Sequence, residues 1–309
     1  MLHEHRFRAM NTDVAVWLWN LDPQAQAGAI LSQVEELFTA IEAEMSRFRP
    51  DSGLCRLNRG AGNGPQPVSA QLGRVVSLAL AAARNSGGVF DPTVLMALEH
   101  AGYDRSFDLL AARGSTGPAD VVPARPDWRQ VVLNPAGHTI FLPKGTGLDL
   151  GGIAKGWAVD QAVDLLAGWG EALVNAGGDM RSSGAPGGTP WPVAVEDPFV
   201  PTRPGPVLGL ERGAIATSSI GGRHWQRNGE PRHHLIDPRT GRPSTSDLHT
   251  VTVLAGTTVQ AEVAAKVALI LGSKAGKRHL EAQGLNGLLV ERDGWEETVG
   301  VLPVMETTY

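Results

Sequence analysis

The segment DLGGIAKG, Asp149 to Gly156, sets a carboxylate, a glycine pair and a lysine close together just ahead of a helical pattern. Glycines at a helix entrance let backbone N–H groups approach a ligand, and the helix N-terminus favours anions. A lysine there adds a mobile positive charge, so the arrangement points to phosphate chemistry. It matches neither the Walker A loop nor the G-x-G-x-x-G dinucleotide loop, and alone it reads better as a tight turn into a core helix. A second stretch, HHLIDPRTG, puts His234 two residues before Ile236-Asp237-Pro238. Histidine, with an ordinary pKa of about 6.5, takes a proton from a hydroxyl near neutral pH. The alternative is that His233 and His234 flank a strand and hydrogen-bond to backbone. Two more clusters, MSRFRPDSGLCRLN and GGVFDPTV, carry polar groups that a core does not need. His3, His5, His100 and His249 read as surface or structural residues. No H-E-x-x-H or Cys/His spacing supports a zinc site.

The elements that must position these groups alternate between two periods. Val14, Val16 and Leu18 mark an opening strand, and Ile30, Leu31, Val34, Leu37, Phe38, Ile41 and Met45 follow a helical repeat. Asp22-Pro23 suits the start of that helix. The spacing predicts a second helix over Ala70 to Asn85 that stops at Gly87-Gly88, and a surface loop over 111–127. It predicts a hairpin bending at Asn134 to Gly137, and a helix after the glycine-lysine turn. EALVNAGGD is a strand running into a turn. Further strands follow in WPVAVEDP, VLGLERGAIATSS, HHLIDPRTGRP and LHTVTVLAG. TTVQAEVAAKVALILG and SKAGKRHLEAQG read as helices, and GLLVERDGWEETVG as a hairpin whose Asp293-Gly294 favours a type I′ turn. The interleaving lacks a strict βαβ rhythm, so the fold class is α+β.

Bulk properties narrow the function. With 309 residues, 42% hydrophobic and 19% charged, the chain has ample material for a folded core. A net charge of −5 without lysine or arginine runs excludes nucleic acid and anionic membranes as natural partners. The N-terminal stretch carries no apolar signal region and no stretch spans a bilayer, so no membrane anchor is expected. The single cysteine, Cys55, has no partner for an internal disulfide, and a cytoplasmic location is the simplest expectation.

Taken together, the clusters resemble the ApbE family, the FAD:protein FMN transferases. LDLGGIAKG, NAGGD, ATSS and HHLIDPRTG occur in the family's order, and AMNTDV, MSRFRPDSGLCRLN and FDPTV fit its N-terminal part. The resemblance runs from about Met10 to Gly272. It implies an α+β, ApbE-like fold with mixed, largely antiparallel sheets and packed helices in two intimately associated subdomains. It also implies a single domain over 1–309, with a core of 8–272 and a C-terminal helix and hairpin over 273–309. The implied activity is transfer of FMN from FAD to a threonine or serine of a partner flavoprotein, with release of AMP. The partner would be an FMN-binding protein carrying Asp-x-x-Thr/Ser-Gly-Ala-Thr/Ser. An FAD pyrophosphatase and a non-catalytic FAD-binding protein are the competing readings.

Site residues carry over position by position. Asp149 and Lys155 would contact FAD, with Lys155 stabilising diphosphate charge. Met10, Phe48, Val89, Phe90, Asp91 and Ile236 match further FAD contacts, although Asn11 replaces a family glycine and Phe48 a frequent tyrosine. His234 would activate the acceptor hydroxyl. A magnesium ion would take the Gly152 carbonyl and the acidic residue of a helix that in the family reads AD-x-x-x-T. Here AEVAAK puts Glu262 and Lys266 at those two positions, on one helix face. Protonated lysine offers donors only and cannot replace threonine as a ligand. Like charges at about 4 Å repel by roughly 4 kcal/mol at an intermediate dielectric. Two expectations follow: magnesium held by Glu262, Gly152, phosphate and water with Lys266 outside, or the Lys266 ammonium in part of the metal's place. An exposed Glu–Lys pair unrelated to catalysis is the bland alternative.

Overall fold

The computed structural model describes residues 1–20, 27–113, 127–200 and 202–306. Its chain divides into two compact units, one of Met1–Ala40, Lys155–Ser219 and Ser246–Tyr309, the other of Ile41–Ala154 and Ile220–Thr245. Among the described residues every strand pair is antiparallel, and no helix is long and apolar enough to cross a membrane. The α+β expectation holds. Asp22-Pro23, and most of the loop expected over 111–127, lie outside the described residues.

The first unit is organised by an eight-stranded sheet whose spatial order is also its chain order. It runs Leu2–Ala9, Thr12–Trp19, Glu171–Ala176, Asp179–Ser182, Gly213–Ser219, Leu248–Ala255, Asn286–Glu291 and Glu296–Val299. Because successive side chains point to opposite faces, one strand can serve two cores, as Gly213–Ser219 does. Ala214 and Ala216 pack with Ala261 of the Thr258–Leu271 helix, where small side chains allow close approach. The intervening Ile215 joins Leu173, Trp191, Val193, Leu208 and Leu210, which belong to the opposite face and to a separate hairpin of Trp191–Glu196 and Pro204–Leu210. The Thr258–Leu271 helix is apolar nearly all round and correspondingly buried. Within it, a buried Glu262 stands out.

Two turns matter at one end of this sheet. The Ala9↔Thr12 register leaves Met10 and Asn11 as a two-residue loop, with φ of 51° and 58°. A type I′ turn requires positive φ at both centres, and asparagine tolerates that conformation better than most residues. Asn11 therefore supplies locally what a glycine would. The neighbouring hairpin turns through Gly177-Gly178, and a Cβ on Gly177 would collide with Thr12 Oγ1. Sequence and structure differ at the last hairpin. Gly294 has φ 89°, while Asp293 is not among the positive-φ residues. The Gly294 N–H donates to Glu291 C=O and the Glu291 N–H to Trp295 C=O. This is a three-residue loop with a left-handed glycine, not type I′, because the register pairs Val290 with Glu296 and leaves room for one more residue.

The second unit is helical, with short strand pieces. Ser69 caps the Ala70–Asn85 helix by accepting from the Leu72 N–H at 3.0 Å, and Leu72, Val75, Val76, Ala79, Leu80 and Ala83 form its buried face. Along the chain before it comes a short helix, Gly53–Arg59, capped by Ser52. The predicted hairpin bending at Asn134 is present as Val132–Asn134 and Thr139–Phe141. A cluster of Ala97, Leu98, Ala101, Tyr103, Leu110, Trp225 and Ile236, with Phe48 against it, forms one core of this unit.

Candidate active site

In the first unit the groups with chemical potential are Met10, Lys155, Asp179, Glu262 and Lys266. Lys155 lies in the first turn of the Ala154–Leu165 helix, Asp179 opens the strand after the Gly177-Gly178 turn, and Glu262 sits in the Thr258–Leu271 helix. The Lys155 ammonium pairs with Asp179 and lies 3.8 Å from Glu262 Oε1. Glu262 Oε2 accepts the Gly156 N–H at 2.9 Å. Side-chain exposures of 3% for Asp179 and 6% for Glu262 show why they need this cation, since buried charges are retained only when paired.

The two helices are locked together by a third carboxylate. Asp160 accepts the N–H groups of Thr258 at 2.8 Å and Val259 at 3.1 Å, capping the second helix from the first, and Arg181 reaches it at 3.5 Å. Burial pushes the Asp160 carboxyl up, and the two backbone N–H groups and Arg181 oppose it. Gly156 allows the close approach, for a Cβ there would lie 2.8 Å from Glu262 Oε2 and 3.0 Å from the Thr258 backbone. Asp179 belongs to the NAGGD motif, yet sequence alone assigns it no role. An acidic residue directly after a Gly-Gly turn is the signal that could have found it.

In the second unit the sequence-predicted residues are Phe48, Val89, Phe90, Asp91, Asp149, Gly152, His234 and Ile236. Ser86 Oγ accepts the Phe90 N–H at 3.0 Å and shapes the Val89–Asp91 turn. Asp91 is buried, and one carboxylate oxygen accepts from Thr93 N–H at 2.8 Å and Thr93 Oγ1 at 2.6 Å, the other from Trp128 N–H at 3.3 Å. Burial raises its pKa above the ordinary carboxylate value, and these donors pull the other way. Asp149 is tied to the same segment through its N–H, which donates to Pro92 C=O at 2.8 Å. Its Oδ1 accepts the Gly151 N–H at 3.0 Å, and Oδ2 pairs with Arg47 Nε at 2.7 Å. Gly152 is buried in the turn just before the helix.

Phe48 and Ile236 meet in one core cluster. His234 stands apart from Asp91 and Asp149 in its hydrogen bonding. Its Nδ1 lies 3.3 Å from the Arg223 carbonyl, which only an N–H can satisfy, so the basic lone pair belongs to Nε2. His233 has the opposite tautomer, Nε2–H donating to Ser244 C=O at 2.9 Å while Nδ1 accepts the Leu235 N–H. Both histidines thus hydrogen-bond to backbone carbonyls, through Nε2 in His233 and Nδ1 in His234. Sequence reasoning passes over Arg47, Tyr103 and Trp128, which surround the predicted residues of this unit.

Does the first unit suit a divalent cation? Asp179 and Glu262 are buried hard-oxygen donors, and magnesium needs few protein ligands because it keeps several waters. Among the described residues, no three His, Cys, Asp or Glu side chains converge as a metal-binding group. The chemistry of the donors fits, with Lys155 as their counter-ion in this structure. Lys266, one turn beyond Glu262, is partly buried.

This architecture has close relatives of known name. The model of the ApbE family matches residues 10–289. The FAD:protein FMN transferase of Treponema pallidum is 33% identical over 278 residues, 83% of this chain and 75% of that protein. The one from Vibrio cholerae is 30% identical over 88% of this chain and 83% of its own length. Among solved structures, the ApbE protein of Thermotoga maritima superposes with a TM-score of 0.84 at 25% identity, covering 96% of this chain and 97% of that one. Flavin transferase ApbE from Vibrio cholerae gives 0.80 at 27% identity, over 97% and 98%. Sequence and architecture agree over nearly the whole length, and the chain belongs to the ApbE family.

Proposed function

We propose that this chain is an FAD:protein FMN transferase, moving FMN from FAD to a threonine or serine hydroxyl of a partner flavoprotein and releasing AMP. The observation that carries the reading is the match to transferases of that name over more than four-fifths of the chain, with the family model spanning residues 10–289 and so the glycine-lysine turn and the His-His-x-Ile-Asp-Pro segment.

In this reading His234 Nε2 accepts the acceptor's hydroxyl proton, the imidazole held by the Arg223 carbonyl. The hydroxyl oxygen bonds to the FMN-side phosphorus as the bond to the AMP phosphate oxygen breaks, and AMP leaves with the charge. Lys155 supplies positive charge to the diphosphate. Asp149, Phe48, Val89, Phe90, Asp91, Ile236 and Met10 hold FAD in place, so positioning supplies much of the rate. Glu262, Asp179 and the Gly152 carbonyl would hold magnesium, which neutralises charge on the transferred phosphoryl group. The acceptor carries Asp-x-x-Thr/Ser-Gly-Ala-Thr/Ser in an FMN-binding domain. We place the reaction in the cytoplasm, where a lone unpaired Cys55 is at home.

The test incubates the purified chain with FAD, an acceptor domain bearing the motif, and a metal series including chelator. Acceptor mass and AMP are read together. A gain of FMN less water, matched by AMP, is expected, and His234→Asn should lower the rate about 10²–10⁴-fold with unchanged thermal stability. AMP beside an unmodified acceptor would make the chain a pyrophosphatase, and bound FAD with no AMP under any metal would make it a binding protein.

A further inference from the structure

Arg47 is an unusual arginine. Its side chain is only 6% exposed, yet it is the residue before Phe48 in a loop. Nε pairs with Asp149 Oδ2 at 2.7 Å, and Nη1 donates to the Tyr103 carbonyl at 2.8 Å. The guanidinium carbon lies 4.2 Å from the Phe48 ring centre and 4.4 Å from that of Tyr103. Those two rings are 5.6 Å apart, so they flank one side of the group and do not sandwich it. The remaining nitrogen, Nη2, is buried without a hydrogen-bond partner among the described residues. Guanidinium stays charged and carries only donors, so the orphan cannot be relieved by losing a proton or by accepting a bond. Buried donors left without acceptors are rare in folded proteins because each costs stability.

The missing component is an acceptor, and the surroundings define its class. Asp149 pairs with the arginine and the Glu99 carboxylate also lies in its field, so a phosphate placed here would add a further anion beside two carboxylates. Phe48 and Tyr103 favour a flat, uncharged partner. A ring edge bearing carbonyl oxygens meets both demands. We propose that Arg47 is a flavin-recognition residue: it fixes the Asp149 carboxylate and offers Nη2–H to a carbonyl oxygen of the isoalloxazine ring. The proposal rests on the FAD reading above and assigns the ring, rather than the diphosphate or adenine, to Arg47.

FAD is tested through its halves. Wild type, Arg47→Lys and Arg47→Met are titrated with FMN, FAD and ADP by calorimetry, with thermal midpoints recorded for each protein. Arg47→Lys keeps the charge but loses the fork, and it should weaken FMN and FAD about 10- to 100-fold, as expected for one charge-assisted hydrogen bond. ADP binding should not change. Equal loss of ADP and FMN, or no loss of either, overturns the proposal. A ligand-side arm avoids dependence on variant folding: wild type is titrated with 2-thio- and 4-thio-FMN, whose sulfur is a poorer acceptor. At least one should bind more weakly than FMN, with that penalty absent in Arg47→Lys; two unpenalised analogues overturn it. If wild type binds flavin with this pattern but never releases AMP, the transferase reading fails and Arg47's role stands. If transfer is normal but flavin affinity is indifferent to Arg47, the transferase reading stands and the role of Arg47 fails.

Discussion

The carboxylates at the candidate site are held by different means in the two units, the helix-capping Asp160 of the first unit apart. In the first, Asp179 and Glu262 share the Lys155 ammonium at the end of a flexible four-carbon stem, and Glu262 also accepts the Gly156 N–H. In the second, Asp91 answers to backbone and hydroxyl donors, and Asp149 to one backbone N–H and a rigid guanidinium. Donors fixed in the main chain or in a planar fork hold a carboxylate at one position. An ammonium on a rotatable chain leaves its partners open to exchange with another cation. The first arrangement suits charge that must move during a reaction, the second suits charge that must hold a ligand still.

Removing Lys155 should break the first arrangement most visibly. Lys155→Met leaves two buried carboxylates without their cation and is expected to cost about 3–5 kcal/mol in urea unfolding. Magnesium should raise the thermal midpoint of this variant more than that of wild type, since ligands that bind only the folded state stabilise it by mass action. A loss comparable to that of Asp149→Asn, or no added response to magnesium, would erase the contrast between the units. Glycines sharpen it next. Gly156→Ala forces a Cβ against Thr258 backbone and should cost about 1–3 kcal/mol. Gly151→Ala meets the Asp149 carboxylate at 3.1 Å in an exposed turn, and should cost less by the same assay.

A smaller effect comes from pH. Burial lifts Asp91 above its unfolded value, so the folded chain binds this proton more readily than the unfolded one. Acidification from neutrality towards the folded pKa should therefore raise wild-type stability relative to Asp91→Asn, whose side chain does not titrate. A thermal-midpoint difference between the two that is flat, or that moves against wild type as pH falls, would contradict the sign. Smallest of all, Asn11→Gly should stabilise by a few tenths of a kcal/mol, because φ 58° costs glycine nothing.

The regular elements were legible because their periods are clean. Alternating Val14, Val16 and Leu18, and the stripe from Ile30 to Met45, depend only on burial of one face. The short helix after Ser52 and the final three-residue loop were not, since each is decided by a cap or by register over a few residues. Motifs identified Lys155, Asp149 and His234, yet the partners that give them chemical character come from far along the chain. Asp179 is brought to Lys155 by a hairpin, Arg223 to His234 by strand pairing, and Arg47 to Asp149 across a hundred residues of sequence order. Local spacing carries no record of such pairings. Arg47 in particular looks like one more charge in SRFRPDS until its burial is known.

The order of strands in the large sheet has a consequence for biogenesis. Thr12–Trp19 hydrogen-bonds to Glu171–Ala176, so its inner edge has no partner until that later strand has been synthesised. At ribosomal rates the interval is on the order of ten seconds, long compared with the microseconds in which a hairpin forms. During that time the N-terminal hairpin presents an open strand edge beside Val14, Val16 and Leu18, the kind of surface on which nascent chains associate with each other. The helix from Ala27 emerges next and sets Phe38 on Phe7, covering part of the hairpin early. Yield on expression should therefore depend on translation speed and chaperone supply across residues 20–170 more than on the stability of the finished fold.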